Sequence, residues 1–402
     1  MSGFSNFMNN FFRFERDRSG NISYFLDGDG FKNSSEYLQM SFDNPVLSTI
    51  ITLRSKIFCQ MKITHLDSSG NEIKNSEVLK LLQNPNYFQT QEDFLFQLMW
   101  FQSAVGTNIT YCKKAFKNSL PKAMYNLIPS EINLNNTQKI KHFFWEKSDI
   151  RDFENKKIIY KLDGQEHSFL ISDLIPFYDL ANGLTKNSFI HSPSRVKSIS
   201  KTLENIEQNM YSKNMNLQFS QKYLATASGN MGGVTPQMQP EDRTAIERIL
   251  LKKSIHITKN QVDVKHLVSD FKKLFLDEMF SNDALTCLLA FEMNRDMLNY
   301  FSNGASTHEN QQQGLLSYLQ NSVQVDANAY VNSISQSFGL FEIGHKLVAS
   351  YDHLPIMQTV LNTKIDTLRK FVEVIEKELS LSIITVNEAK EKIKNIKLNL
   401  GL

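Results

Sequence analysis

The sequence is poor in the features that mark secreted, membrane-spanning or catalytic chains. It has three cysteines in 402 residues, Cys59, Cys112 and Cys287, far apart and without a CxxC pair. That excludes a disulfide framework and a zinc knuckle, and they read as reduced packing residues. The nine histidines are scattered, with no HxxxH and no Cys/His spacing suited to tetrahedral zinc. No apolar run approaches the ~20 residues that span a bilayer. The opening segment MSGFSNFMNNFFRFERDRSG has neither the basic start nor the unbroken apolar stretch of a signal peptide, so a protein made and kept in the cytoplasm is expected. Charge of one sign is also missing: 44 Lys and Arg oppose 42 Asp and Glu, a net +2 that provides no strong field for gripping a polyanion.

Motifs of chemistry are equally sparse. GxGxxG, HExxH and GxSxG are absent, and the glycine-rich SGNMGG at 228–233 lacks the GKS or GKT ending that cradles a nucleotide. Ser192 follows His191, but Ser-Pro at 192–193 reads as a helix cap followed by proline, where the missing N–H costs nothing. Glu292 and Asp296, four apart, would share a helix face, with Arg295 beside them as ordinary compensation. The expectation is a protein that is no enzyme and holds no cofactor or metal.

What is present is core material. Hydrophobic residues make up 41% of the chain, with 29 Phe and 13 Tyr, too much apolar surface for a solvated coil. Residues 1–40 mix Phe with Asn, Ser and alternating charge, a composition fitting either an arm that orders against a neighbour or a frayed terminus. A helix is predicted from Asn44 to Met61 with Pro45 in its first turn. KITHLDSSGNEI then reads as a strand entering a hairpin at Ser68-Ser69-Gly70. Thr90 with Glu92 and Asp93 starts a helix to about Ala104 that Gly106 ends, and residues 108–177 break into short β-rich stretches.

From Ser192 to about Gln221 a long helix is expected, with Val196, Ile199, Leu203, Ile206 and Met210 in a narrow seam of threes and fours, suited to one or two neighbouring helices. YLATASG and SIHITKNQVDVKHLV suggest strands, with PEDRTAIERILLKKS a helix between them. A second long helix is predicted from Ser269 to Met297, kinked near Ser281-Asn282-Asp283. YFSNGASTHENQQQG is a loop. A third helix carries Leu316, Leu319, Val323, Ala327, Tyr330, Ile334 and Phe338 on one face. A strand at HKLVASYDHLP, a helix over 362–379 and a last helix capped by Thr385 and Glu388 complete the chain. The fold class is α+β, mostly helical.

Four stretches, in order, resemble the compact portal proteins of long-tailed phages and gene transfer agents over roughly residues 40–400: LLQNPNYFQTQEDFLFQLMWFQSAVGTNITY, YNLIPSEINL, DLIPFYDLANGL with SPSRVKSISKTLENIEQNMYSKNMNL, and NYFSNGASTHENQQQGLLSYLQNSV. Many relatives have a Val-Pro-Pro run before the loop; here it is MLNYFSNG.

The resemblance implies a portal fold with wing, stem, clip and small crown, assembled as a cyclic ring of 12 subunits. Residues 1–40 would be the N-terminal arm and 41–191 the first part of the wing. Stem helices would span 192–222 and 266–297 around a clip at 223–265. A tunnel loop at 298–308, the rest of the wing at 309–361 and a small crown at 362–402 would follow.

The implied role is that of the head-tail connector at one capsid vertex, in the virion, through which double-stranded DNA is packaged and ejected. Its implied partners are the large terminase, the head-tail adaptor, the major capsid protein and DNA, with no membrane. Asn303, Ser306, Thr307, His308 and Asn310, with Lys272 and Lys273, would line the channel. Arg243, Arg248, Lys252 and Lys253 would meet terminase or adaptor, although solvated helix faces and plain loops fit the same residues. The seam from Val196 to Met210 would pack subunits. The alternative is a non-catalytic phage scaffold ring that binds proteins alone.

Overall fold

A computed structural model describes residues 34–116, 119–133, 157–180, 191–219, 223–227, 262–266, 276–297, 308–381, 383 and 385–400. The chain divides into two compact units, residues 1–198 with 291–402, and residues 199–290.

The first unit opens with helix α1 (Ser34–Asp43) and helix α2 (Pro45–Phe58). Asn44 separates them, and its side chain accepts from the backbone N–H groups of Val46 and Leu47 at 3.2 Å each, a cap followed by proline in the first turn. Strand β1 (Lys62–Leu66) follows. The expected turn follows it: the Leu66–Glu72 bridge and the backbone bonds from Asp67 N to the Asn71 carbonyl at 2.9 Å and from Ile73 N to the His65 carbonyl at 2.8 Å close a short hairpin, while the full ladder partner of β1 lies some 280 residues later. Helix α3 (Glu77–Gln83) leads to helix α4 (Gln91–Val105), which starts at a Thr90/Asp93 capping box and stops at left-handed Gly106.

The β-rich stretch forms two sheets. Strand β2 (Thr107–Lys113) lies between β3 (Ala123–Leu127) and, farther along, β7 (Leu174–Tyr178), both antiparallel to it. A second sheet orders β4 (Ile132–Asn133), β5 (Lys157–Leu162) and β6 (Gln165–Leu170). The β5–β6 hairpin turns at Asp163-Gly164, both at positive φ, the two-residue turn whose twist matches the strands.

Helix α5 (Arg195–Phe219) begins in the first unit and runs through the second, about 37 Å at 1.5 Å per residue. It starts three residues later than predicted, because Ser194 and not Ser192 supplies the cap. The Ser194 Oγ accepts from Val196 N at 3.0 Å and donates to the Ala104 carbonyl at 2.7 Å.

In the second unit, β8 (Tyr223–Ala227) pairs antiparallel with β9 (Val262–His266). Helix α6 (Leu276–Ala290) follows. It continues without a break through 281–283, where the kink was expected. It also ends seven residues before Met297, where Phe291 and Glu292 turn the chain and Glu292 takes φ +60. Within this unit Asp283 accepts a hydrogen bond from Asn205, and the Lys213 ammonium lies 5.3 Å from the centre of the Phe280 ring, which sets α5 beside α6.

Back in the first unit, the third predicted helix is three pieces: α7 (His308–Tyr318), one π-helical turn at Leu319–Val323, and α8 (Gln324–Ser337). Strand β10 (Lys346–Ser350) pairs with β1. Helix α9 (Pro355–Ser380), seven residues longer at its start than predicted, and α10 (Val386–Leu400) end the chain, the latter opened by the expected Thr385/Glu388 box.

The core of this unit sits where α2 crosses α4 and β7 meets α8. Leu47, Ile50, Ile51 and Phe58 of α2 and Leu98 and Met99 of α4 are all fully buried. The rings of Phe58, Phe177 and Tyr330 form a triangle with centroids 5.7 to 6.1 Å apart, an arrangement in which edge meets face.

Candidate functional site

A helix as apolar as α2 has little reason to carry an arginine on its buried side, yet Arg54 is completely buried among Ile50, Ile51 and Phe58. It persists because carboxylates meet it. One Nη donates to Asp179 Oδ1 at 3.0 Å and to Asp326 Oδ2 at 2.7 Å. The cation also lies 5.8 Å from the centre of the Phe291 ring, so an aromatic face covers part of it. Asp179 sits just past β7 with its side chain fully buried, and its other oxygen accepts from Arg195 Nε at 2.6 Å. Arg195, the first residue of α5, also donates through Nη1 to Glu292 Oε1 at 2.9 Å. Five charged groups, brought from α2, the end of β7, the start of α5, the turn after α6 and the start of α8, thus form one chain of ion pairs.

The electrostatics follow from burial and neighbours. Burial alone would lower the Arg54 pKa, but Asp179 and Asp326 outweigh it and hold the guanidinium charged far above any physiological pH. Arg195 is raised in the same way by Asp179 against its own desolvation. Asp326 is pushed up by burial, and the Arg54 charge pulls against that shift. Burial also pushes Glu292 up, but Arg195 and the Ser322 hydroxyl prevail and leave its carboxyl below the usual range. Ser322 reaches it from the π-helical turn, whose extra residue rotates the facing side chains. Above, the Tyr318 hydroxyl is buried and its pKa driven up. Both arginines stay charged, and the cluster is a clamp of ion pairs at the root of α5.

The backbone around that root is equally constrained. A Cβ on Gly106, at φ +87, would stand 2.6 Å from the carbonyl oxygens of both Ser192 and Pro193. Ser192 N donates to Thr107 Oγ1 at 2.7 Å, and Ser192 Oγ accepts from Leu180 N at 3.2 Å. The end of α4 and the start of α5 therefore touch backbone to backbone, with Ser192 occupied as a brace. His191 beside it is half-buried, and desolvation with nearby Lys197 takes its pKa down to about 4. The Glu292/Asp296 pair on one helix face is corrected, because α6 ends before both, and Arg195, not Arg295, compensates Glu292.

Other expected residues fall as follows. Val196, Ile199, Leu203 and Ile206 are already buried within the single chain, and of that seam Met210 alone is exposed. Asn310 is exposed on α7 and lines a polar pocket of about 210 Å³ with Asn294, Asp296, Gln313, Gly314 and Ser317. His308 begins α7. Asn303, Ser306, Thr307, Lys272, Lys273, Arg243, Arg248, Lys252 and Lys253 lie outside the described residues. Among the described residues no group of three or more His, Cys, Asp or Glu is placed to hold a metal, and no helix is long and apolar enough to cross a membrane.

The charge clamp was missed in the sequence. Arg54 stands 125 residues from Asp179 and 272 from Asp326. The signal that was there is an arginine at a core position of an otherwise apolar helix face.

No family model matches the sequence, and no curated protein does. Solved structures do match the fold. One is described as the neck of a native GTA particle computed with C12 symmetry, with TM-score 0.63 and 13% identity over 93% of this chain and 94% of that one. A virion of a native gene transfer agent particle matches at TM-score 0.61 and 12% identity over 92% and 94%. An HK97 family phage portal protein from Corynebacterium diphtheriae matches at TM-score 0.50 and 11% identity over 81% and 99%. The chain has the fold of phage portal proteins.

Proposed function

From that shared fold we propose that this chain is a portal-type subunit of a tailed phage or gene transfer agent. Copies of it close a ring, of twelve in our reading, at one vertex of the capsid. The observation that carries this is the fold match over 93% of the chain to a neck protein in a C12-symmetric particle. Double-stranded DNA passes through the ring during packaging and ejection, and the protein guides it without catalysing a reaction.

In this reading residues 192–222 and 266–297 are the stem and 223–265 the clip. The tunnel loop is 298–308, the C-terminal helices form the crown and the rest is wing. The large terminase and later the head-tail adaptor dock on the clip through Arg243, Arg248, Lys252 and Lys253, and the major capsid protein surrounds the wing. Asn303, Ser306, Thr307, His308 and Asn310, with Lys272 and Lys273, face the channel, where short polar groups touch phosphates weakly and exchange with water. A near-neutral chain suits a conduit that must not grip its cargo.

Deleting 299–307 tests the assignment of the loop. Rings should still form, while particles carrying the deletion should package or retain less DNA. Loss of assembly on that deletion would show that the segment belongs to the subunit interface instead.

A further inference from the structure

Strand β1 carries a histidine on its buried face, and the fold brings a second histidine against it. His65 is 5% exposed. It stands opposite Leu347 in the β1–β10 ladder, and His345, two residues before Leu347, falls on the same face. Gly344, at φ +72, turns the chain against Ser68 and delivers His345 to that position. The two imidazoles meet edge to face with ring centres 5.2 Å apart.

Neither ring is fully satisfied. His65 Nδ1 lies 2.6 Å from the Ser76 hydroxyl, which also caps α3 by accepting from Leu79 N at 3.4 Å. His65 Nε2 and His345 Nδ1 are buried with no hydrogen-bond partner among the described residues. A protonated imidazole carries an N–H at both nitrogens. On His65 one of them would meet a neutral hydroxyl and the other nothing, with a second titratable ring in contact. Such a cation is costly to bury. Two nitrogens without a third ligand do not make an ion site either, and no group of three His, Cys, Asp or Glu among the described residues could hold a metal.

The surroundings supply no counter-charge. Asp67, Glu72 and Lys74 follow β1, Glu77 opens α3, and Glu342 and Lys346 flank His345, while the last two turns of α8, which packs on β10, carry no charge. Asp67 interacts with His345, but its carboxylate accepts from the backbone N–H groups of Ser69 and Asn71 at 2.8 Å each. Glu77 pairs with Lys80 at 2.8 Å. None of these groups acts on His65, whose pKa burial lowers and His345 lowers further.

We propose that the His65–His345 pair is an acid-released latch on the β1–β10 ladder, closed while both rings are neutral and opened when they take up protons. The ladder holds residues 62–66 to 346–350, the strand that leads into α9. Because the folded His65 titrates below the ~6.5 of an unfolded histidine, the latch contributes in full above about pH 6.5, and its contribution is lost as pH falls through the folded value. The inference is independent of the ring reading.

Hydrogen–deuterium exchange of the full-length protein, followed by mass spectrometry at about pH 7 and about pH 5 and corrected for intrinsic exchange rates, tests it. Protection of 62–66 and 346–350 should fall about tenfold or more at the lower pH, the factor that one pKa unit carries. In His65→Gln, which cannot charge, it should stay nearly constant. Protection of α2 and α4 should not change in either protein, which separates local opening from global loss of stability. Wild-type protection that does not fall, or that falls equally in His65→Gln, would overturn the latch. So would zinc that raises protection at neutral pH, because the two rings would then be metal ligands. Should His65→Gln fail to fold, His345→Gln takes its place: without the second ring the fall should begin at lower pH, and a fall at the wild-type pH would refute the pairing.

Discussion

Asp179 is the charge that both arginines share, so its replacement separates coulombic support from packing. Asp179→Asn keeps the shape but leaves the fully buried Arg54 with Asp326 alone and removes the partner of Arg195 Nε. Breaking a buried pair in this way costs about 3–5 kcal/mol, and urea denaturation at pH 7 should show a loss of that order. His191 supplies a pH signature. Its folded pKa, about 4, lies below the ~6.5 of an unfolded histidine, so the unfolded chain binds the extra proton first. The stability it contributes is complete above pH 6.5 and is lost as pH falls toward 4, by roughly 2–3 kcal/mol. His191→Gln should flatten that part of the stability profile, and an unchanged slope would assign the dependence to other groups.

The segment that leads into α5 meets the backbone at Gly106. Gly106→Ala places a methyl carbon 2.6 Å from two backbone carbonyl oxygens and forces a left-handed φ on alanine. Backbone strain alone is worth about 1–3 kcal/mol, and the clash adds to it. The variant should therefore melt several degrees lower, more than Ser194→Ala, which loses a cap and one hydrogen bond for about 1–2 kcal/mol.

At this scale the sequence was readable wherever a signal is local. The boxes at Thr90/Asp93 and Thr385/Glu388, the stop at Gly106 and the helical faces of α2, α4 and α9 all follow from residues within a turn or two of each other. It was not readable where the partner is remote. The β1 strand carries a local turn signal, but its ladder is made with β10, and nothing near His65 announces Leu347. At the start of α5 the pattern Ser-Pro-Ser offered two caps, and only the Ala104 carbonyl, 90 residues earlier, selects Ser194.

For the molecule as a whole, the seam from Val196 to Ile206 pointed to partners outside the chain, yet those side chains are buried within it. Leu203→Ala should destabilise the single chain by about 2–5 kcal/mol, read by thermal denaturation of the dissociated protein. The central claim is that copies of this chain enclose a channel for DNA. Negative-stain electron microscopy of the purified full-length protein tests it most directly: the account predicts closed rings with a central opening wide enough for duplex DNA, and monomers or open filaments under every condition tried would contradict it.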